Sequence, residues 1–188
     1  MKYYSLIFLP IMLIFVACNE RELEQQQQAQ YEAQLQQQLI ETDQQFRNSL
    51  NDVLEVYFEL KDSLVSSNAN ASAEITSDLI QTTENVDVSG LNDETTMIWA
   101  SFADLIIANS HRLQDQSDVD DQRYYFEDIS EAMIQVVDSF RPAGYEIFVQ
   151  SCPMVRSGTA EWLSREEQIR NPYHGDRMMN CGEVIRRI

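Results

Sequence analysis

The chain has 188 residues, enough for one domain once a leader is removed. Thirty-one acidic residues against 13 basic ones give a formal charge of −18. A polyanion of this kind repels nucleic acid and anionic lipid headgroups, so neither is expected as a partner through charge.

Residues 1–17 read as an export leader. Lys2 gives a positive start, and Leu6 to Ala17 is an apolar run too short for a typical spanning helix. The run ends Phe15-Val16-Ala17-Cys18. This resembles the lipobox of bacterial lipoproteins, with Phe15 where leucine is usual. The resemblance implies that Cys18 carries lipid, that the mature chain starts there, and that it is anchored on the periplasmic side of a bacterial membrane. The bland alternative is a plain leader, or an uncleaved anchor, with an incidental cysteine.

Residues 18–42 form a Gln-rich tether, with runs at Gln25 to Gln28 and Gln36 to Gln38. Too little apolar surface is present for a core. Tyr31, Leu35, Leu39, Phe46 and Leu50 nevertheless fit one helical face, so the tether is helix-prone and leads into the first core helix.

Residues 43–144 carry four helical patterns. Leu50, Val53, Leu54, Tyr57, Leu60 and Leu64 repeat at three and four residues, and Ser66-Ser67-Asn68 stops them. A shorter second pattern carries Ala71, Ile75, Leu79 and Val86. Asn92 caps the third, with Ile98, Phe102, Leu105, Ile106 and Leu113 as its apolar face and Trp99 beside it. Ser117 is the expected cap of the fourth, which runs from about Asp118 to Phe140, with Phe126, Ile129, Met133, Val137 and Phe140 facing inward. Met97 and Met133 read as packing residues. The expected fold is all-α: an antiparallel up-down four-helix bundle with an irregular C-terminal tail, residues 145–188, packed on it.

That tail is anchored by Trp162 and Leu163, and only Tyr145, Ile147 and Val149 alternate enough to suggest an extended segment. Its charge differs from the rest. From Cys152 onward six arginines face five carboxylates, whereas Cys18 to Ser151 carries 26 acidic residues and six basic ones. An arginine-bearing tail is therefore expected to dock on an acidic body.

The tail gathers sulfur. Cys152 and Met154 stand near its start, and Met178, Met179 and Cys181 near its end. Thiolates and thioethers suit a soft ion such as Cu(I). Two cysteines left over after Cys18 equally suit one disulfide, Cys152–Cys181, in an oxidising compartment. The residues alone leave both readings open. His174 is a further candidate ligand if its loop folds back, His111 reads as a partly exposed helix residue, and Arg123 as a structural ion-pair partner.

Cys152-Pro153-Met154, Trp162-Leu163-Ser164, Asn171-Pro172-Tyr173 and Met178 with Cys181-Gly182 occur in order. With the stretch Asp118 to Ser130, they resemble a bacterial domain-of-unknown-function family. That family occurs in exported lipoproteins and fused to the periplasmic adaptor subunits of copper/silver RND efflux pumps. The resemblance spans roughly Asp43 to Val184 and implies Cu(I) or Ag(I) handling, with Cys152, Met154, Met178 and Cys181 as candidate ligands and an efflux adaptor as partner. His174 and Met179 depart from the family pattern, and both add a donor. No hydrolase, metalloprotease, phosphate-loop or dinucleotide motif is present, so no enzymatic activity is expected.

Overall fold

The computed structural model describes residues 44–155 and 158–188, with the isolated positions Gln26, Gln27 and Gln30, which are helical and exposed. The expected leader, Cys18 and most of the expected tether lie outside the described residues. Among the described residues no helix is long and apolar enough to cross a membrane.

Four helices come first: α1 (Gln44–Val65), α2 (Ala69–Glu84), α3 (Asp93–Gln114) and α4 (Val119–Phe140). The starts of α2, α3 and α4 are each capped by an Asn or Asp side chain. Asn68 accepts from the Ala71 N–H at 3.1 Å and Asn92 from the Thr95 N–H at 2.8 Å. At α4 the cap is Asp118, accepting from the Asp120 N–H at 2.8 Å, rather than the expected Ser117.

Ring contacts fix the helix directions. Phe46, near the start of α1, meets Phe140 at the end of α4, while Tyr57 stacks on Phe126 further along. Arg123, in the first turns of α4, reaches the Leu64 carbonyl at the end of α1. The two helices thus run antiparallel. Trp99 and Phe102 of α3 touch Phe46 and Phe140 respectively, so α3 runs with α1 and against α4. One core results, with Leu50, Leu54, Tyr57, Ile106, Phe126, Ile129 and Met133 all buried.

Two helix faces differ from the pattern reading. In α2 the buried face is mostly hydroxyl-bearing: Ser72, Thr76 and Thr83 lie beside Leu79 and Ile80, whereas Ala71 and Ile75 are half-buried. The hydroxyls bond back to carbonyls one turn earlier, Thr76 to Ser72 at 2.6 Å and Thr83 to Leu79 at 2.7 Å. A Ser63–Ser72 hydroxyl pair at 2.8 Å ties α2 to α1. In α3, Trp99, Ala103, Ile106 and Ser110 face inward, while Ile98 and Leu105 are exposed. Met133 packs in the core as expected, but Met97 is 73% exposed.

The C-terminal region is not an irregular tail. It forms β1 (Phe148–Val155), β2 (Gly158–Ser164) and β3 (Glu183–Arg187), an antiparallel sheet with β1 in the centre, plus a 3₁₀ turn at Gly175–Arg177. All of Phe148 to Cys152 is buried, so both faces of β1 are covered and no alternation was there to be read. Tyr145 lies before the strand and is 41% exposed.

The sheet docks through three kinds of contact. Trp162 and Leu163 of β2 are fully buried, as expected. Two tyrosine hydroxyls then bond to the β2 backbone: the Leu163 N–H donates to Tyr57 Oη at 3.1 Å, and Tyr173 Oη donates to the Glu161 carbonyl at 2.8 Å. A strand edge that would otherwise need another strand is thereby satisfied by side chains. Burial raises both phenols above their ordinary value and keeps them protonated. Finally, arginines of this region meet helix carboxylates: Arg165 with Glu55, Arg170 with Asp62, Arg177 with Asp120 and Arg186 with Asp138.

Tyr57→Phe is expected to leave the Leu163 N–H buried and unpaired, at a cost of about 1–3 kcal/mol. Urea unfolding compared with the unmodified chain checks this, and a loss within about 0.5 kcal/mol, the size of a neutral surface change, would contradict it.

Candidate functional site

Cys152 and Cys181 meet where the sheet and its returning loop come together. Cys152 sits on the central strand opposite Ala160, is fully buried, and belongs to the same apolar cluster as Trp162 and Tyr173. Cys181 follows the 3₁₀ turn, is half-buried, and donates its backbone N–H to the Met178 carbonyl at 3.0 Å. The two sulfurs lie 3.4 Å apart, with both cysteines free.

Two residues set this approach. Gly182 has φ +137, and a Cβ there would stand 2.6 Å from the Ser151 carbonyl oxygen and 3.1 Å from Trp162 Cη2. Only glycine lets the chain leave Cys181 this close to β1. Asn171, fully buried, holds the loop from within. Its side-chain amide donates to the Cys181 carbonyl at 2.8 Å, and its backbone N–H donates to the Met179 carbonyl at 2.9 Å. Its Oδ1 accepts from the N–H groups of Tyr173 at 2.8 Å and His174 at 3.2 Å.

Arg123 holds the same loop from the bundle. It donates to the carbonyls of Pro172 and Leu64, each at 2.7 Å, to Ser67 Oγ at 2.8 Å and to Asp120 at 2.7 Å. The structural ion pair expected of it is present, with three further bonds that the sequence does not announce. Gly175, at φ +54, lies so near that a Cβ would come within 2.6 Å of the guanidinium.

The other sulfur and nitrogen donors are placed differently. Met154 is 54% exposed, and the register of β1 against β2 slips between Cys152 and Val155, which breaks the simple alternation that would align Met154 with Cys152. Met178 and Met179 are half-buried in the turn before Cys181. His174 is half-buried and its Nε2 lies 2.8 Å from the Met154 carbonyl. A carbonyl only accepts, so this nitrogen carries the proton and Nδ1 is the atom left over. His111 is exposed on α3. Among the described residues no three His, Cys, Asp or Glu side chains converge as a metal-ligand group, so His174 does not join the two cysteines in one. A cleft of about 300 Å³ between α4 and the loop is lined by Asp120, Glu127, Tyr173, His174 and Arg177 among others, but by neither cysteine.

The hydrogen bond to Cys152 raises the Cys181 thiol above its ordinary value, and desolvation and the electrostatic influence of Cys152 act the same way. Cys181 therefore ionises later, as pH rises, than an isolated thiol would. A metal that binds here as a thiolate complex releases protons and binds more tightly at higher pH.

Residues 53–144 match a family model. Its description is Protein of unknown function (DUF3347). The match starts inside α1 and ends just past α4, so it takes in the helices and leaves the sheet and both thiols outside. It carries no statement about export, lipid attachment or pump subunits. No curated protein and no solved structure matches the chain.

Cys152→Ala removes the partner of the Cys181 thiol. Alkylation at position 181, followed by peptide mapping against pH, is expected to speed up at neutral pH and its profile to move toward lower pH. A profile unmoved by the substitution would contradict the sulfur contact.

Proposed function

We propose that the protein is a lipid-anchored periplasmic protein that binds Cu(I) or Ag(I), buffering the metal or passing it to an efflux adaptor subunit. The observation that supports this best is the 3.4 Å approach of two thiols, one fully buried on β1 and the other at the end of the loop that holds Met178. A metal–thiolate bond of about 2.3 Å lets one ion bridge sulfurs up to about 4.6 Å apart. The pair needs only a small opening to take a soft cation in low coordination. Among the described residues no third nitrogen or carboxylate ligand is grouped beside it, and a further donor from methionine would favour Cu(I) and Ag(I) over zinc. Transfer to a partner would proceed by exchanging one sulfur donor at a time. The anchor in this reading is lipid on Cys18, and the carboxylates of the helices serve as hard, solvated surface that does not select copper.

A second reading draws on the same distance. The sulfurs need to close to about 2.05 Å to form a disulfide. The resulting staple across a loop of this length would contribute about 3–4 kcal/mol in the chain-entropy model, and the protein would be a helical scaffold without metal. Mass separates the two readings. Chain purified without oxygen retains copper in the first, and loses the mass of two hydrogens with no metal in the second.

Met154→Leu with Met178→Leu tests the donor set. Each change roughly conserves volume and should cost under about 1.5 kcal/mol of stability. Competition with a Cu(I) chelator under reducing conditions is expected to show binding weakened at least about tenfold, roughly 1.4 kcal/mol. Unchanged affinity would remove the methionines from the site. No affinity in the unmodified chain would leave the stapled scaffold as the better account.

A further inference from the structure

The two thiols are close, but they are not equivalent. Cys152 has no accessible surface on the central strand, where it stands opposite Ala160 and belongs to the same apolar cluster as Trp162, whereas Cys181 is partly open to solvent. Cys181 is also held from behind, with its carbonyl bound by Asn171 at 2.8 Å and its N–H by the Met178 carbonyl at 3.0 Å. The sulfur separation of 3.4 Å lies within the roughly 3–3.5 Å range from which a nucleophile attacks. One partly exposed thiol beside one buried thiol at attacking distance is the arrangement of a thiol–disulfide exchange centre.

We propose that Cys152 and Cys181 exchange with external disulfides, Cys181 reacting first and Cys152 resolving. This goes beyond metal binding and does not depend on it. The substrate class is a disulfide, R–S–S–R, small enough or exposed enough to reach Cys181. The Cys181 thiolate attacks one sulfur, the Cys181–S–S–R bond forms, and R–S⁻ leaves and takes a proton. Cys152 then loses its proton and attacks the Cys181 sulfur. The Cys152–Cys181 bond forms and the second R–S⁻ leaves and is protonated. Two protein thiols are oxidised to one disulfide and one external disulfide is reduced to two thiols, with both protons accounted for. Burial blocks the reverse order, because an incoming disulfide cannot reach Cys152 while the sheet is docked.

The probe is oxidised glutathione, added to the reduced full chain without oxygen, quenched early in acid and mapped by peptide mass, which separates positions 152 and 181 from Cys18. In the unmodified chain a glutathione adduct is expected first at Cys181, giving way to the internal disulfide. Cys152→Ser and Cys152→Ala are expected to accumulate the adduct at Cys181. Cys181→Ser is expected to react at position 152 at least about tenfold more slowly, following accessibility. An early adduct at Cys152 would overturn the proposal, as would a stable adduct on the unmodified chain with no internal disulfide. The same holds if Cys181→Ser reacts as fast as Cys152→Ser while circular dichroism shows intact helices. If either Cys152 variant fails to fold, the early quench of the unmodified chain decides alone.

Discussion

A three-stranded sheet this small does not stand by itself, and the molecule depends on how the bundle receives it. The receiving surface is polar and specific. Tyr57 of α1 bonds to the backbone of β2, as Tyr173 does from the sheet's own returning loop, and Arg123 of α4 spends its guanidinium on two carbonyls, a hydroxyl and Asp120. A buried guanidinium is costly unless its donors are satisfied, and here satisfaction requires three separate chain segments to be in place together. Asp120 serves Arg177 as well, and chiefly that hydrogen bond holds its carboxyl below the usual carboxylate range. Its contribution is therefore present above the ordinary carboxylate value and is lost as pH falls into that depressed range.

The thiol contact is a product of that docking. Cys152 reaches its position through the register of β1, and Cys181 through a loop held by Asn171 on one side and Arg123 on the other. Gly182 lets the two approaches converge. The same geometry suits a soft cation between two sulfurs and attack of one sulfur on the other, because both need two thiols held at contact distance with little freedom to part. Between the two proposed chemistries, what reaches Cys181 first, metal or disulfide, would decide.

Much of the helical part was legible because caps and three-and-four spacing act locally. Leu50 to Leu64 and Phe126 to Phe140 are apolar at the positions that pack. The inward face of α2 was not legible, since Ser72, Thr76 and Thr83 are buried only because their hydroxyls bond back to the helix, which no hydropathy pattern displays. The face of α3 was read in part: Ile106 and Leu113 are buried as expected, but Trp99, Ala103 and Ser110 carry the rest of the packing and the larger Ile98 and Leu105 point outward. The sheet escaped notice for a related reason: Gln150 and Ser151 are polar yet buried, so β1 shows neither alternation nor a continuous apolar run. The cysteines stood out as candidates, but their contact rests on Asn171 and Gly182. In sequence these two stand among the motifs of the resemblance, but nothing there shows what they hold.

The central claim is that the sulfur pair exists only while the sheet is docked on the helices. Its most direct test is the alkylation of Cys152 in the reduced chain across a urea titration, followed beside helical circular dichroism. The account predicts that Cys152 stays protected until the helices melt, with the two transitions coincident. Alkylation of Cys152 at urea concentrations that leave the helical signal intact would contradict it.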